Sequence, residues 1–295
     1  MSANANLHKA KAEKNDEFYT RYEDIQAELK HYEKHFEGKT VLCNCDNPTW
    51  SNFWKYFHLN FEYLGLKKLI STHYDTSKLV YKMEYTGGDD NDIGVGIKTP
   101  LDGNGDFRSD ECIELLKQAD IVVTNPPFSE FRTFVAILME YKKKFLIIGS
   151  LNAVKYSECF PFIMNNQMWL GNNNVHDFIQ PDGTMKKFGN INWYTNLDFA
   201  KRHEKIILWK EYNDEEYPKY ETYDAIEVSK VTNIPVNYSG IMGVPISFMS
   251  KYNPEQFEIV GEFNHGSDNI FDLAKPIING KELFPRIAIR RINSN

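Results

Sequence analysis

The sequence predicts an α/β fold with a doubly wound, mostly parallel sheet and a mixed C-terminal region. Strand-like apolar runs alternate with helix-period segments over about the first 150 residues, the spacing of strand–helix–strand units. Past about residue 165 the pattern changes to short alternating runs broken by Asn and Gly, the composition of antiparallel hairpins. The division expected is a first domain over 1–210 and a smaller recognition region over 211–295.

Each element has its own signal. Phe18, Tyr22, Ile25, Leu29 and Tyr32 recur at spacings of three or four, which predicts a helix over 15–37. "TVLCN" (40–44) is an apolar run suited to a buried strand, and the aromatics of 49–65 fall at helical spacing. "KKLISTHYD" (67–75) begins as a strand, and 92–100 reads as a strand or hairpin arm. Ser109 is an N-cap for a helix over 109–120. "IVVTN" (121–125) is a β-branched strand, 130–143 an amphipathic helix and 144–150 another apolar strand. The Gly-, Pro- and Asn-rich stretch 229–263 reads as loops set on a scaffold, where specificity determinants sit.

Bulk composition excludes several classes. With 295 residues, 42% hydrophobic and 25% charged, the chain has ordinary globular usage rather than that of a disordered segment. No window approaches ~18 uninterrupted apolar residues, so no membrane span is expected. The N-terminus lacks the apolar core of a secretory signal. Four cysteines are too few for a disulfide framework in a chain this long, and a reducing, cytoplasmic setting fits them. "CNC" (43–45) lacks the spacing of a zinc ribbon and the histidines show no HExxH, so no metal is expected. A net charge of −7 counts mildly against a nucleic-acid partner, but basic clusters at 141–144, 185–187, 200–205 and 285–291 leave room for a phosphate-binding face.

The most informative stretch is "DIVVTNPPFSEF" (120–131), in which a buried strand ends directly in Asn-Pro-Pro-Phe. In an open α/β sheet, ligands bind beyond the carboxyl ends of strands. Asn125 supplies an amide oxygen there, Pro126 a carbonyl acceptor without an N–H of its own, and Phe128 a flat apolar face. Pro127 stiffens the turn by fixing its own φ. Two acceptors beside a stacking face suit a planar group bearing an exocyclic NH2, such as adenine. Gripping its hydrogens favours the tetrahedral nitrogen that attacks an electrophilic methyl, a stabilisation realised mainly in the transition state.

With those residues the chain resembles class I S-adenosylmethionine-dependent methyltransferases of the amino-group type. It looks most like the EcoRI-type adenine-specific DNA methyltransferase family. The likeness rests on "NDEFYTRYEDI" (15–25), "VLCNCDNPTWSNFWKYF" (41–57), "DIVVTNPPFSEF" (120–131) and "YSGIMGVPISFMSKYNPEQFEIVG" (238–261). It implies a Rossmann-like catalytic domain, S-adenosylmethionine as cofactor and transfer of methyl to N6 of an adenine flipped out of double-stranded DNA. By the same resemblance, Asn125, Pro126, Pro127 and Phe128 hold the target base, and Asp16, Phe18, Tyr19 and Thr20 form an N-terminal cofactor segment. Asn44, Asp46 and Pro48 lie in the first strand-to-helix loop, and Asp106 and Phe107 meet the cofactor's adenine. Asp75 is the nearest acid for its ribose, although the second strand does not end cleanly in one, and the first loop lacks Gly-x-Gly.

The resemblance also sets Trp193 and Tyr194 near the base pocket, whereas their pattern alone reads as half-buried strand. Arg286, Arg290 and Arg291 are candidate phosphate or base readers. A monomer suffices for one-strand-at-a-time methylation, and a companion restriction endonuclease acting on the same site is a partner of the kind this family implies. RNA adenine methylation, protein glutamine methylation and a non-catalytic nucleic-acid-binding relative stay open as alternatives.

Overall fold

The computed structural model describes residues 18–76, 79–88, 91–180, 182–264 and 270–292. In chain order the elements are β1 (Tyr19–Thr20), α1 (Tyr22–Leu29), β2 (Thr40–Cys43), α2 (Asn52–Leu59), β3 (Lys68–Ser71), β4 (Tyr81–Tyr85) and β5 (Ile97–Pro100). There follow α3 (Asp110–Gln118), β6 (Ile121–Thr124), α4 (Phe131–Glu140), β7 (Lys144–Ser150), α5 (Phe160–Met164), β8 (Trp169–Ile179) and β9 (Met185–Thr195). The last strands are β10 (Ala225–Glu227), β11 (Ile241–Val244), β12 (Phe257–Phe263), β13 (Ile277–Ile278), β14 (Lys281–Glu282) and β15 (Arg286–Arg291). None of the described helices is long and apolar enough to cross a membrane.

The chain divides into two compact units. One runs to Ala153 and resumes at Gly171–Asp198; the other comprises Val154–Leu170 and the chain from Phe199 onward. The division falls near residue 198 rather than 210, and the segment around α5 belongs with the later residues.

The first unit carries a nine-stranded sheet in the order β1-β8-β9-β7-β6-β2-β3-β4-β5. The sheet is mixed, which corrects the mostly parallel expectation. Parallel pairing joins β7, β6, β2 and β3. Beyond them β4 and β5 pair antiparallel on one side, and β9 pairs antiparallel with β7 on the other. The parallel core was readable because each of its strands is a short run with buried side chains on both faces; β2, for example, is buried at all four positions. The hairpin arms alternate polar and apolar residues, so their sequence fixes exposure but not the strand they join.

Among the described residues of the helix expected over 15–37, only Tyr22–Leu29 is α-helical. The periodic residues Ile25, Leu29 and Tyr32 are buried as the spacing requires, but Phe18 precedes a short strand whose Tyr19 and Thr20 pair with Ile179 and Phe178 of β8. A buried carboxylate locks this arrangement. Glu28 accepts hydrogen bonds from Tyr32 Oη at 2.8 Å, the Asn172 N–H at 2.7 Å, and the Asn173 N–H and Nδ2 at 2.8 and 2.9 Å. Gly171 permits the approach, since a Cβ there would lie 2.4 Å from Glu28 Oε1 and 2.6 Å from Trp193 Cβ. Burial pushes the Glu28 carboxyl pKa up.

The second unit is built on a four-stranded sheet ordered β10-β11-β15-β12, parallel at β10–β11 and antiparallel elsewhere. The stretch 229–263 is therefore not mainly loop: it supplies β11 and β12, whose Met242, Val244, Phe257 and Phe263 are core residues. Gly243 is required on β11, because a Cβ would come within 2.0 Å of the Tyr220 hydroxyl.

Glu28→Ala leaves the two backbone N–H groups of Asn172 and Asn173 without their acceptor and should cost about 2–4 kcal/mol of stability. Denaturant unfolding measures this; Glu28→Gln, which keeps an acceptor oxygen, should cost clearly less. Equal losses for the two variants would contradict the hydrogen-bonding account.

Candidate active site at the carboxyl ends of the central strands

The parallel strands run β2 then β3 in one direction and β6 then β7 in the other, so the chain reverses direction across the sheet between β2 and β6. A crevice beyond the strand ends forms at such a switch point. The residues that leave β2 are Asn44, Cys45 and Asp46, and the residue that leaves β6 is Asn125.

Asp46 is buried and ties these ends together. Its Oδ1 accepts from Ser51 Oγ at 2.9 Å and its Oδ2 from Thr124 Oγ1 at 2.5 Å, while the Asn125 backbone N–H also points at the carboxylate. The Asp46 N–H donates to Thr72 O at 2.9 Å, and Ser71 Oγ at the end of β3 donates to Asp46 O. Ser51 is at the same time the N-cap of α2, with its Oγ accepting from Phe53 and Trp54 N–H at 3.1 and 3.4 Å. Thr124 Oγ1 in turn accepts from Cys45 N–H at 3.3 Å. One side chain thus joins the ends of β2 and β6 and the start of α2, and its own backbone carbonyl holds β3. Burial raises the Asp46 pKa to about 7, with the Thr124, Ser51 and Asn125 donors opposing the rise.

Asn125 is fixed on its other side by the N-terminal segment: its Nδ2 donates to Phe18 O at 2.6 Å. Its Oδ1 is buried and has no hydrogen-bond partner among the described residues. Asn44 Oδ1 and Thr20 Oγ1 are in the same condition. Buried acceptors without donors are costly in a protein interior, and groups of them at a strand-end crevice suit a ligand rich in N–H donors.

Phe128 does not stand free as an exposed platform. It is half-buried and stacks on Phe18 at 6.3 Å and 24°, with Phe178 and Phe188 edge-on at 6.2 Å each. Phe178 and Phe188 come from β8 and β9, so their part in the site was invisible to the motif around residue 125; only the structure brings that hairpin to the turn.

The remaining sequence candidates sort into three groups. Tyr19 packs on Trp50 at 4.1 Å, Thr20 O accepts from Asn52 Nδ2 at 2.8 Å, and Pro48 is buried in the loop after β2, so Tyr19 and Thr20 are tied to the segment that follows that loop. The segments that carry Asp75 and Asp106 meet: Asp75 N–H donates to Asn104 O at 3.0 Å, and a Cβ on Gly105 would meet His73 O at 1.9 Å. Asp106 is held by Arg108 at 2.9 and 2.7 Å, which keeps its carboxyl pKa low, and Phe107 packs edge-on against Phe134 of α4 at 5.0 Å. Asp16 lies outside the described residues.

The third group consists of Trp193, Tyr194 and the three arginines, each engaged within its own unit. Trp193 and Tyr194 are fully buried on β9: Trp193 packs on Phe53 at 5.9 Å, and Tyr194 packs on Phe131 at 5.1 Å and donates to Ser150 O at 2.8 Å. Their aromaticity marks core rather than base pocket. In the second unit, Arg286 is consumed by an ion pair with Glu227, donating at 2.7–3.2 Å, while Tyr220 Oη donates to the same carboxylate at 2.5 Å. Arg290 pairs with Glu258 at 2.8 Å on the exposed surface, and Arg291 is half-buried at the end of β15. All four cysteines are free.

Comparison of the sequence with known proteins identifies its family. The matches are Type II methyltransferases: M.EcoRI of Escherichia coli is 45% identical over 98% of this chain and 97% of its own length. M.MpnI of Mycoplasma pneumoniae is 41% identical over 86% of this chain and 84% of its own, and M.MgeORF184P of Mycoplasma genitalium is 40% identical over 86% and 85%. The chain belongs to the family described as adenine-specific methyltransferase EcoRI, whose model matches residues 6–291. No solved structure matches significantly.

The raised Asp46 pKa has a stability consequence. Its folded pKa of about 7 exceeds the unfolded value of 3.8, so its contribution is complete below about pH 4 and is lost as pH rises through about 7. Thermal melts should show stability falling more steeply between pH 5 and 8 in the wild type than in Asp46→Asn. Glu28, also raised by burial, acts with the same sign in both proteins, so the difference isolates Asp46. Identical slopes would refute the assignment.

Proposed function

We propose that this chain transfers methyl from S-adenosylmethionine to N6 of an adenine extruded from double-stranded DNA. The observation that carries the reading is Asn125 Oδ1, a buried acceptor without a donor among the described residues, at the end of β6 and followed directly by the Pro126 carbonyl. Membership in an adenine-specific methyltransferase family supports it.

The residues divide the work as follows. Asn125 Oδ1 and Pro126 O accept the two amino hydrogens of the target base. Its lone pair, delocalised in the ground state, becomes localised as the nitrogen turns tetrahedral, and both acceptors bind the resulting cationic nitrogen more strongly. The Asn125 amide cannot swing away, because its Nδ2 is held by Phe18 O. When bound, S-adenosylmethionine supplies an electrophilic sulfonium methyl. Asn125 Oδ1 and Pro126 O would hold the amino nitrogen toward that methyl, and the proton given up by the nitrogen would pass to solvent. Residues fitted to hold the cofactor are Phe18, Tyr19, Thr20, Asn44, Asp46, Pro48, Asp75, Asp106 and Phe107. The unmatched Thr20 Oγ1 and Asn44 Oδ1 favour a group that carries ammonium and hydroxyl donors. Adenine N6 is out of reach within a stacked duplex, which is why extrusion forms part of the reading.

Sequence recognition falls to the second unit, with Arg290 and Arg291 as contacts and Arg286 as structural support for the sheet. A monomer suffices, methylating the two strands in separate events, and a restriction endonuclease acting on the same site fits the Type II names of the relatives.

Incubation with methyl-labelled S-adenosylmethionine and, in parallel, unmethylated duplex DNA, RNA or protein, with the nucleic acids then digested to nucleosides, should yield labelled N6-methyldeoxyadenosine from the DNA. Label appearing only on RNA or on a protein glutamine would favour the corresponding alternative. Asn125→Ala should lower kcat by about 10²–10³-fold while cofactor affinity changes little; equal loss of both would contradict the assigned role.

A further inference from the structure

The hairpin of β8 and β9 brings more than apolar walls to the turn after β6. Phe18, Phe128, Phe178 and Phe188 form a closed aromatic group in which every pair of rings is in contact, at 4.9–6.4 Å between centroids. Over this group lies Lys186, whose Nζ is 4.7 Å from the Phe18 ring centroid and 5.3 Å from that of Phe188. The lysine is exposed, and it makes no ion pair among the described residues. Its neighbour differs: Lys187 Nζ lies 3.9 Å from Asp177, a carboxylate that also faces Arg21 at 3.9 Å.

An ammonium held over two ring faces is fixed in direction yet keeps its capacity for an anion, because ring faces attract the charge without neutralising it. The aromatic group adjoins the unmatched Asn125 acceptor through Phe18, whose carbonyl holds Asn125 Nδ2. A nucleotide whose base enters at Asn125 carries its phosphate one sugar further out, within the span of a lysine side chain seated on Phe18.

We propose that Lys186 is a positioning residue that takes a backbone phosphate of the extruded nucleotide, so that the β8–β9 hairpin grips the sugar-phosphate side while Asn125 and Pro126 grip the base. This rests on the methyl-transfer reading. The contact carries no sequence information; it fixes the register of the flipped nucleotide against the catalytic acceptors. The competing account is packing alone, with the lysine stem covering apolar rings.

The two accounts separate in salt dependence. Methyl transfer to unmethylated plasmid DNA is measured over a series of NaCl concentrations for the wild type, Lys186→Ala, Lys186→Arg and Lys187→Ala, with cofactor affinity determined in parallel. Lys186→Ala should raise KM for DNA by roughly tenfold and reduce the salt slope by about one, the loss expected for one phosphate contact. Lys186→Arg should restore both, Lys187→Ala should change them less, and cofactor affinity should stay level. An unchanged salt slope in Lys186→Ala, or a cofactor affinity that falls in step with KM, overturns the clamp while leaving the methyl-transfer reading intact. Wild-type protein that transfers no label to DNA overturns the methyl-transfer reading, and the clamp with it.

Discussion

The carboxylate of Asp46 is the constraint on which the rest of the site depends. Parallel strands are joined side by side by backbone hydrogen bonds, but where they end nothing in the ladder fixes the loops that follow. Here a single acid does so, accepting from Thr124 at the end of β6 and from Ser51 at the start of α2 while its main chain is held from β3. Asn125 is covalently next to Thr124, so the clamp on Thr124 sets where the amide begins, and the Phe18 carbonyl sets where it points. Two anchors on one short side chain leave its oxygen little freedom, as the proposed role of a transition-state acceptor requires.

That arrangement has a cost, visible in the Asp46 pKa of about 7. A carboxylate buried in the protein loses hydration that three donors only partly replace, so the fold is less stable at neutral pH than the same contacts would make it around a neutral group. The unmatched oxygens of Asn44 and Asn125 and the Thr20 hydroxyl add to the burden. In the second unit the buried Glu227 is by contrast satisfied by Arg286 and Tyr220.

Much of this was legible in the sequence. The strand "IVVTN" followed by two prolines identified the end of β6 and the turn after it, because a buried apolar run and a proline pair have few local alternatives. The hub was only half visible: Asp46 stood out as a loop acid, but nothing local announced Ser51, Thr124 and Ser71 as its partners, which are brought in by strand order. The same holds for Phe178 and Phe188, which reach Phe128 through hairpin pairing at a sequence distance no periodicity reports. Trp193 and Tyr194 misled for the opposite reason, since aromatic residues on a strand look alike whether they face a ligand or, as here, α2 and α4 side chains. Arg286 misled because a buried acid on another strand, Glu227, had already claimed it.

If Asp46 acts on methyl transfer through Asn125, as the proposed function requires, a double-mutant cycle will show it. Thr124→Val keeps the shape of β6 and removes only the hydroxyl that bridges Asp46 and Cys45. Measured as kcat for methyl transfer, Thr124→Val alone should cost about 10–100-fold, and in the Asn125→Ala background it should cost almost nothing further, since the group it positions is gone. Losses that multiply, with each substitution acting at full strength in the presence of the other, would contradict the claim.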